Sequence, residues 1–147
     1  MGIRGTTRKA AAVLLVLYSA GLLYILLTPS AEVPTTSISW VAQRAARIGA
    51  PDWLLVPTRF EFVLNVLILI PATALGSVVW PRTNWRDWTA YGFVFAAGVE
   101  LTQGLLLPAR SAQFIDVVAN GLGAFAGAVL VAFLTVLWPT PVSALDR

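Results

Sequence analysis

Residues 114–138 read FIDVVANGLGAFAGAVLVAFLTVLW. Apart from Asp116 and Asn120 near its start the run is apolar. At about 1.5 Å per helical residue it can cross a hydrocarbon core of about 30 Å. Outward along the chain, 10–28, 60–80 and 88–107 are runs of similar reach. They predict an all-α polytopic membrane helical bundle of about four transmembrane helices. Its parts are a cytoplasmic N-terminus at 1–9, a first span at 10–28, an external loop at 29–57, a core with three spans at 58–138, and a tail at 139–147.

Composition agrees with this. The chain of 147 residues is 58% hydrophobic and 12% charged, with a mean hydropathy of +0.79, too apolar for a soluble globule of this size. It has no Cys and no His, which excludes disulfides, thiolate nucleophiles, imidazole bases and His- or Cys-ligated metals. Chemistry is left to carboxylates, amides, hydroxyls and Arg. The formal net charge is +3, but the basic residues stand singly or in pairs beside apolar runs. That pattern carries topology rather than a nucleic-acid footprint. No metal, cofactor or nucleic-acid partner is expected.

The first run follows Arg4, Arg8 and Lys9 as a signal peptide would. It is long for such a segment, and Thr28, Pro29, Ser30 and Ala31 make a poor cleavage site, so a retained helix is expected. With both termini cytoplasmic, Arg4, Arg8, Lys9, Arg82, Arg86 and Arg147 lie inside, and Arg44, Arg47, Arg59 and Arg110 outside, as the positive-inside rule favours for a multi-pass protein of the cell membrane. Trp80, Trp85, Trp88 and Trp138 then mark the inner interface, and Trp40 and Trp53 the outer one. Within 29–57, Ile38, Val41, Ala45 and Ile48 recur at helical spacing opposite Gln43, Arg44 and Arg47. This predicts a short interfacial helix capped by Ser37 or Ser39 and stopped by Gly49 and Pro51.

Three runs contain polar pairs at helical spacing: Glu61 with Asn65, Glu100 with Gln103, and Asp116 with Asn120. In the expected orientation all lie in the outer half. Glu100 is placed about 10 Å below the outer helix end. Inward along the same faces come Ala72 and Gly76, Ala96 and Gly92, and Gly123 and Gly127, small residues that let membrane helices approach closely. A tight inner half beneath a polar outer pocket is expected, with Pro71 as a kink that helps open it. Arg110, in the turn of Leu107, Pro108, Ala109 and Arg110, is placed to pair with Glu100 or Asp116, or to bind a phosphate or carboxylate. Arg59 and Asp52 are expected to be solvated loop charges. The alternative is that the amides and carboxylates only hold the bundle together. That suits the amides better than Glu100, because a carboxylate deep in a bilayer costs about 2.5–3.5 kcal/mol.

The set of residues 65–71, Glu100, Leu101, Thr102 and Gln103, Pro108 to Arg110, Asp116, Asn120 and Gly123 resembles the VanZ-like family over about half of the chain. It departs at Gln113 and Ile115, where relatives often have acids, and at Thr73, where many have Gly. The resemblance implies a small membrane protein of the cell envelope, from a family named for a member that lowers sensitivity to the glycopeptide teicoplanin. It implies no known reaction.

Three functions follow as expectations. In the first, the outer pocket binds or remodels a polar membrane lipid, a lipid-linked cell-wall precursor or a lipoglycopeptide, with Arg110 on an anionic group and Asn65, Gln103 and Asn120 supplying hydrogen bonds. In the second, Glu100 or Asp116 is the general base of a membrane-embedded enzyme acting on an envelope lipid. The third, a proton-coupled transporter using Glu100, is disfavoured because the polar residues stop halfway across.

Overall fold

Without water a backbone must satisfy its N–H and C=O groups internally, so long apolar runs close into helices. The computed structural model describes residues 3–29, 32–108 and 113–137, with residues 3, 4 and 32–35 as backbone alone. Among the described residues the regular structure is all helical: α1 (Ile3–Leu27), α2 (Glu32–Arg47), α3 (Pro57–Val79), α4 (Trp85–Leu106) and α5 (Phe114–Leu137). Three helices are long and apolar enough to cross a membrane, over Gly5–Leu27, Pro57–Val79 and Phe114–Leu137. The fourth long helix, α4, has 22 residues but carries Glu100 and Gln103 in its interior.

Local chemistry sets the helix ends. Pro57 opens α3 in the first turn, where its missing N–H costs no hydrogen bond. Asn84 caps α4, its side chain accepting from the N–H groups of Arg86 at 2.8 Å and Asp87 at 3.2 Å, while Asp87 accepts in return from the Asn84 N–H. Gly49 ends the α2 segment at φ 87°, with Ala50 donating to Ala45 and Gly49 to Ala46, the two bonds of a Schellman turn. The start of α2 corrects the sequence expectation. It begins at Glu32, so Ser37 and Ser39 lie inside the helix, and the Ser39 hydroxyl donates back to the Thr36 carbonyl rather than capping. Pro34 fits because it sits in the first turn. Ile48, expected on the apolar face with Ile38 and Val41, lies just past the end of the helix in the turn with Gly49.

Two bonds give the helix directions. Gln103, near the end of α4, reaches Leu26, near the end of α1, so these helices are parallel. Asn65 meets Asp116 near the starts of α3 and α5, making that pair parallel as well. α5 packs most extensively on α3 and then on α4, while α1 lies along α3. The α3–α5 seam is close because two glycines leave it no side-chain bulk. A Cβ at Gly123 would overlap the Val66 carbonyl, and one at Gly127 the Ile70 carbonyl and the Thr73 hydroxyl. Gly92 on α4 similarly admits Ala124 of α5, and Gly76 on α3 admits the Trp88 ring. Pro71 lies inside α3, half-buried, and takes from the Leu67 carbonyl its usual helical donor.

The tight packing expected away from the polar residues holds for α3, α4 and α5 but not beside α1. There a cavity of about 270 Å³ separates α1, α3 and α4, walled by Leu15, Leu22, Leu69, Thr73, Trp88 and Phe95 among others. Small residues stand in this wall, Ser19 on α1, Ala72 on α3 and Gly92 on α4, and the helices do not close over them.

Candidate functional site

The cap at Asn84 fixes the register of α4, and from it Gly92, Ala96, Val99, Glu100 and Gln103 fall on one buried face. Glu100 is 8% exposed and accepts a hydrogen bond from the Gln113 N–H at 2.6 Å. That N–H opens α5, so the carboxylate sits at the positive end of a helix dipole, which offsets part of the cost of burying it. The Gln113 carbonyl in turn accepts from the Asp116 N–H at 3.0 Å.

Asp116 lies in the first turn of α5, again where the dipole favours an acid. Its Oδ1 accepts from Asn65 Nδ2 at 2.7 Å, which ties α3 to α5. Its backbone carbonyl accepts from Asn120 Nδ2 at 2.9 Å. Glu61, one turn before Asn65 on α3, is half-buried at the same end. Asn120 is 7% exposed, and its Oδ1 is buried without a hydrogen-bond partner among the described residues. An acceptor left so costs about 1–3 kcal/mol.

Gln103, 5% exposed, donates from Nε2 to the Leu26 carbonyl at 2.8 Å. That carbonyl belongs to the last turn of α1, where acceptors lack helical donors. The Tyr18 hydroxyl adds a second tie, donating to the Ile68 carbonyl of α3 at 2.6 Å. Among the described residues no three carboxylates are grouped so as to hold a metal ion.

The profile of the VanZ/LLP1 family matches residues 15–135. The chain belongs to the VanZ/LLP1 family. No curated protein and no solved structure matches it.

In this VanZ/LLP1 chain the structure gathers Glu61, Asn65, Glu100, Asp116 and Asn120 at one end of α3, α4 and α5. Gln103 lies at that end too, but its donor ties α1 in place. Arg110, expected above the cluster as the partner of Glu100 or Asp116, falls outside the described residues. Arg59 and Asp52 are exposed, with the Arg59 guanidinium donating to the Trp53 carbonyl at 3.2 Å. Three participants escaped the sequence reading: the Gln113 N–H, the Leu26 carbonyl and Tyr18. The first two are backbone groups and leave no residue-type signal. Tyr18 is one of several hydroxyls in its run, with Ser19, Tyr24 and Thr28, and no spacing singles it out.

Proposed function

We propose that this VanZ/LLP1 protein spans the membrane four times, with α4 as the fourth span. It binds the polar part of a lipid, a lipid-linked cell-wall precursor or a lipoglycopeptide at the end where Glu100 and Asp116 lie. The acid and amide that lower the apolar character of α4 are buried against the bundle, while Val94, Leu101, Leu105 and Leu106 are exposed and suit lipid contact. The Arg distribution supports cytoplasmic termini, with this end in the outer leaflet. The α2 helix then lies at the outer interface, where Trp40 is exposed with the Arg44 guanidinium 4.8 Å from its ring centroid. A contribution to glycopeptide resistance, teicoplanin included, fits such a site.

The observation that carries this reading is the buried Glu100 carboxylate, held at the start of α5 beside the Asp116–Asn65 bond. Binding is favoured over general-base chemistry because both carboxylates already accept hydrogen bonds that join helices. Native mass spectrometry of the purified protein tests it, with teicoplanin and a total polar lipid extract as probes. Wild type should retain lipid or bind teicoplanin, and Glu100→Gln should lose most of it at an unchanged melting temperature. Equal retention by both proteins would leave Glu100 as a packing residue.

A further inference from the structure

At the end away from the acids, α1 stands off from α4. The Gln103–Leu26 bond joins these two helices near their ends, and otherwise α1 lies along α3. The cavity of about 270 Å³ occupies the gap that remains. Leu15, Leu22, Leu69 and Phe95 wall it, and the Thr73 hydroxyl in the same wall already donates to the Leu69 carbonyl at 3.0 Å. An apolar space of this kind stays dry and takes an apolar guest. Leu23 of α1, Tyr91 of α4 and Trp80 line the cavity and are exposed as well, so it opens at the surface that faces lipid. Along α3 its wall runs from Leu69 to Trp80, eleven residues with a rise of about 16 Å. That matches the depth of one leaflet, half of a hydrocarbon core of about 30 Å.

The same end of the bundle is basic. Arg82 follows Trp80 in a turn closed by the Thr83 N–H on the Trp80 carbonyl at 3.0 Å, and Arg86 lies in the first turn of α4. Because α1 is parallel to α4, Arg8 and Lys9 near the start of α1 come to this end too. All four are exposed, while the carboxylate of Asp87 accepts from the Asn84 N–H. We propose that the cavity holds one acyl chain of an anionic glycerophospholipid from the adjoining leaflet, with the lipid phosphate at Arg82 and the cations around it. A helix of a second copy is about 10 Å across and cannot enter such a space, whereas a single hydrocarbon chain can. A zwitterionic headgroup would bring its own cation to this basic rim, and an anionic one does not. The bound chain supplies the van der Waals contacts that the helices leave unmade beside α1. This site is separate from the acids and does not depend on what they bind.

A detergent alkyl chain fits the same space, so the experiment needs a bilayer. The full chain is placed in nanodiscs of dioleoylphosphatidylcholine, and half of that lipid is exchanged for dioleoylphosphatidylglycerol, which has the same chains and an anionic headgroup. The wild type should melt about 4 °C higher after exchange. Ser19→Phe sets a ring into the cavity, so it should melt within about 2 °C of wild type in pure phosphatidylcholine and show no rise on exchange. Arg82→Gln keeps the cavity and should lose about half of the rise. A general effect of anionic lipid on the bilayer would act on every variant, so a full rise in Ser19→Phe overturns the proposal. A full rise in Arg82→Gln overturns it as well, because the phosphate then lies elsewhere, and so does the absence of a rise in wild type. An equal rise from glycerol 3-phosphate added to pure phosphatidylcholine discs would mean a surface phosphate site without a chain, and also overturns it. If Ser19→Phe does not fold, Ala72→Leu narrows the cavity from α3, and an undiminished rise in that variant has the same force. None of these readings involves Glu100 or Asp116, so this inference and the binding reading at the acids can fail independently.

Discussion

The two flanks of α3 are held by different means. Toward α5 the contact is backbone against backbone, with Gly123 on the Val66 carbonyl and Gly127 on the Ile70 carbonyl and Thr73. Toward α1 it is side chain against backbone, with the Tyr18 hydroxyl donating to the Ile68 carbonyl, while Gln103 of α4 ties α1 at the Leu26 carbonyl and a cavity of about 270 Å³ is left over. In lipid the hydrophobic effect does not drive helices together, so association needs either dense packing or polar bonds. The α5 flank uses the first, with the Asn65–Asp116 bond added at its polar end, and the α1 flank relies on the second. Val66 directly follows Asn65, so the approach permitted by Gly123 also sets where Asn65 meets Asp116. The polar cluster therefore depends on the seam more than on α1.

The strongest way to break this contrast is Gly123→Leu. The overlapping atom is a backbone carbonyl that cannot swing aside, so the cost should reach about 3 kcal/mol or more, and size-exclusion chromatography in detergent should give no monodisperse folded peak. Recovery of a wild-type-like peak would show the seam to be looser than described. Asn65→Leu cuts the polar bond but leaves the glycine contacts, so a loss of about 1–2 kcal/mol is expected, read as a lower melting temperature with the folded peak retained. On the other flank, Tyr18→Phe removes one hydroxyl bond and keeps the ring. It should cost about 0.6 kcal/mol, the mean for interhelical hydrogen bonds in a membrane, measured by unfolding in mixed micelles. Ser19→Leu adds bulk to the wall of the cavity and should change stability by under about 1 kcal/mol in the same assay, because the space can receive it. The smallest effect belongs to Gly98→Leu, the substitution that is disruptive at 123 placed where nothing lies within 4 Å of a Cβ. It should be neutral or mildly stabilising in a melting experiment, since Leu is the better helix former. A loss at 98 rivalling that at 123 would mean that propensity rather than close approach decides both.

The sequence by itself determined the helical class, the apolar runs and the pairs that share a face. A spacing of four puts Asn120 one turn below Asp116, and the same period puts Gly123 and Gly127 on one stripe. Hydropathy separates runs that suit lipid from those that suit water, and Gly49 was readable as the end of α2 because few other residues take its φ of 87°. The family too was legible, since the ordered short motifs are properties of the chain alone. The start of α2 was harder to read, because Pro34 and the neighbouring Ser and Thr favour a loop unless they fall in a first turn. Only the tertiary structure decided the partners. Glu100 meets a backbone N–H thirteen residues away, and Gln103 a backbone carbonyl seventy-seven residues away. Backbone groups are the same at every position, so no residue pattern distinguishes those two. The open space beside α1 was equally hidden, because a cavity is a property of how three helices fail to fill a volume, and a periodicity read along one chain contains no distance between helices.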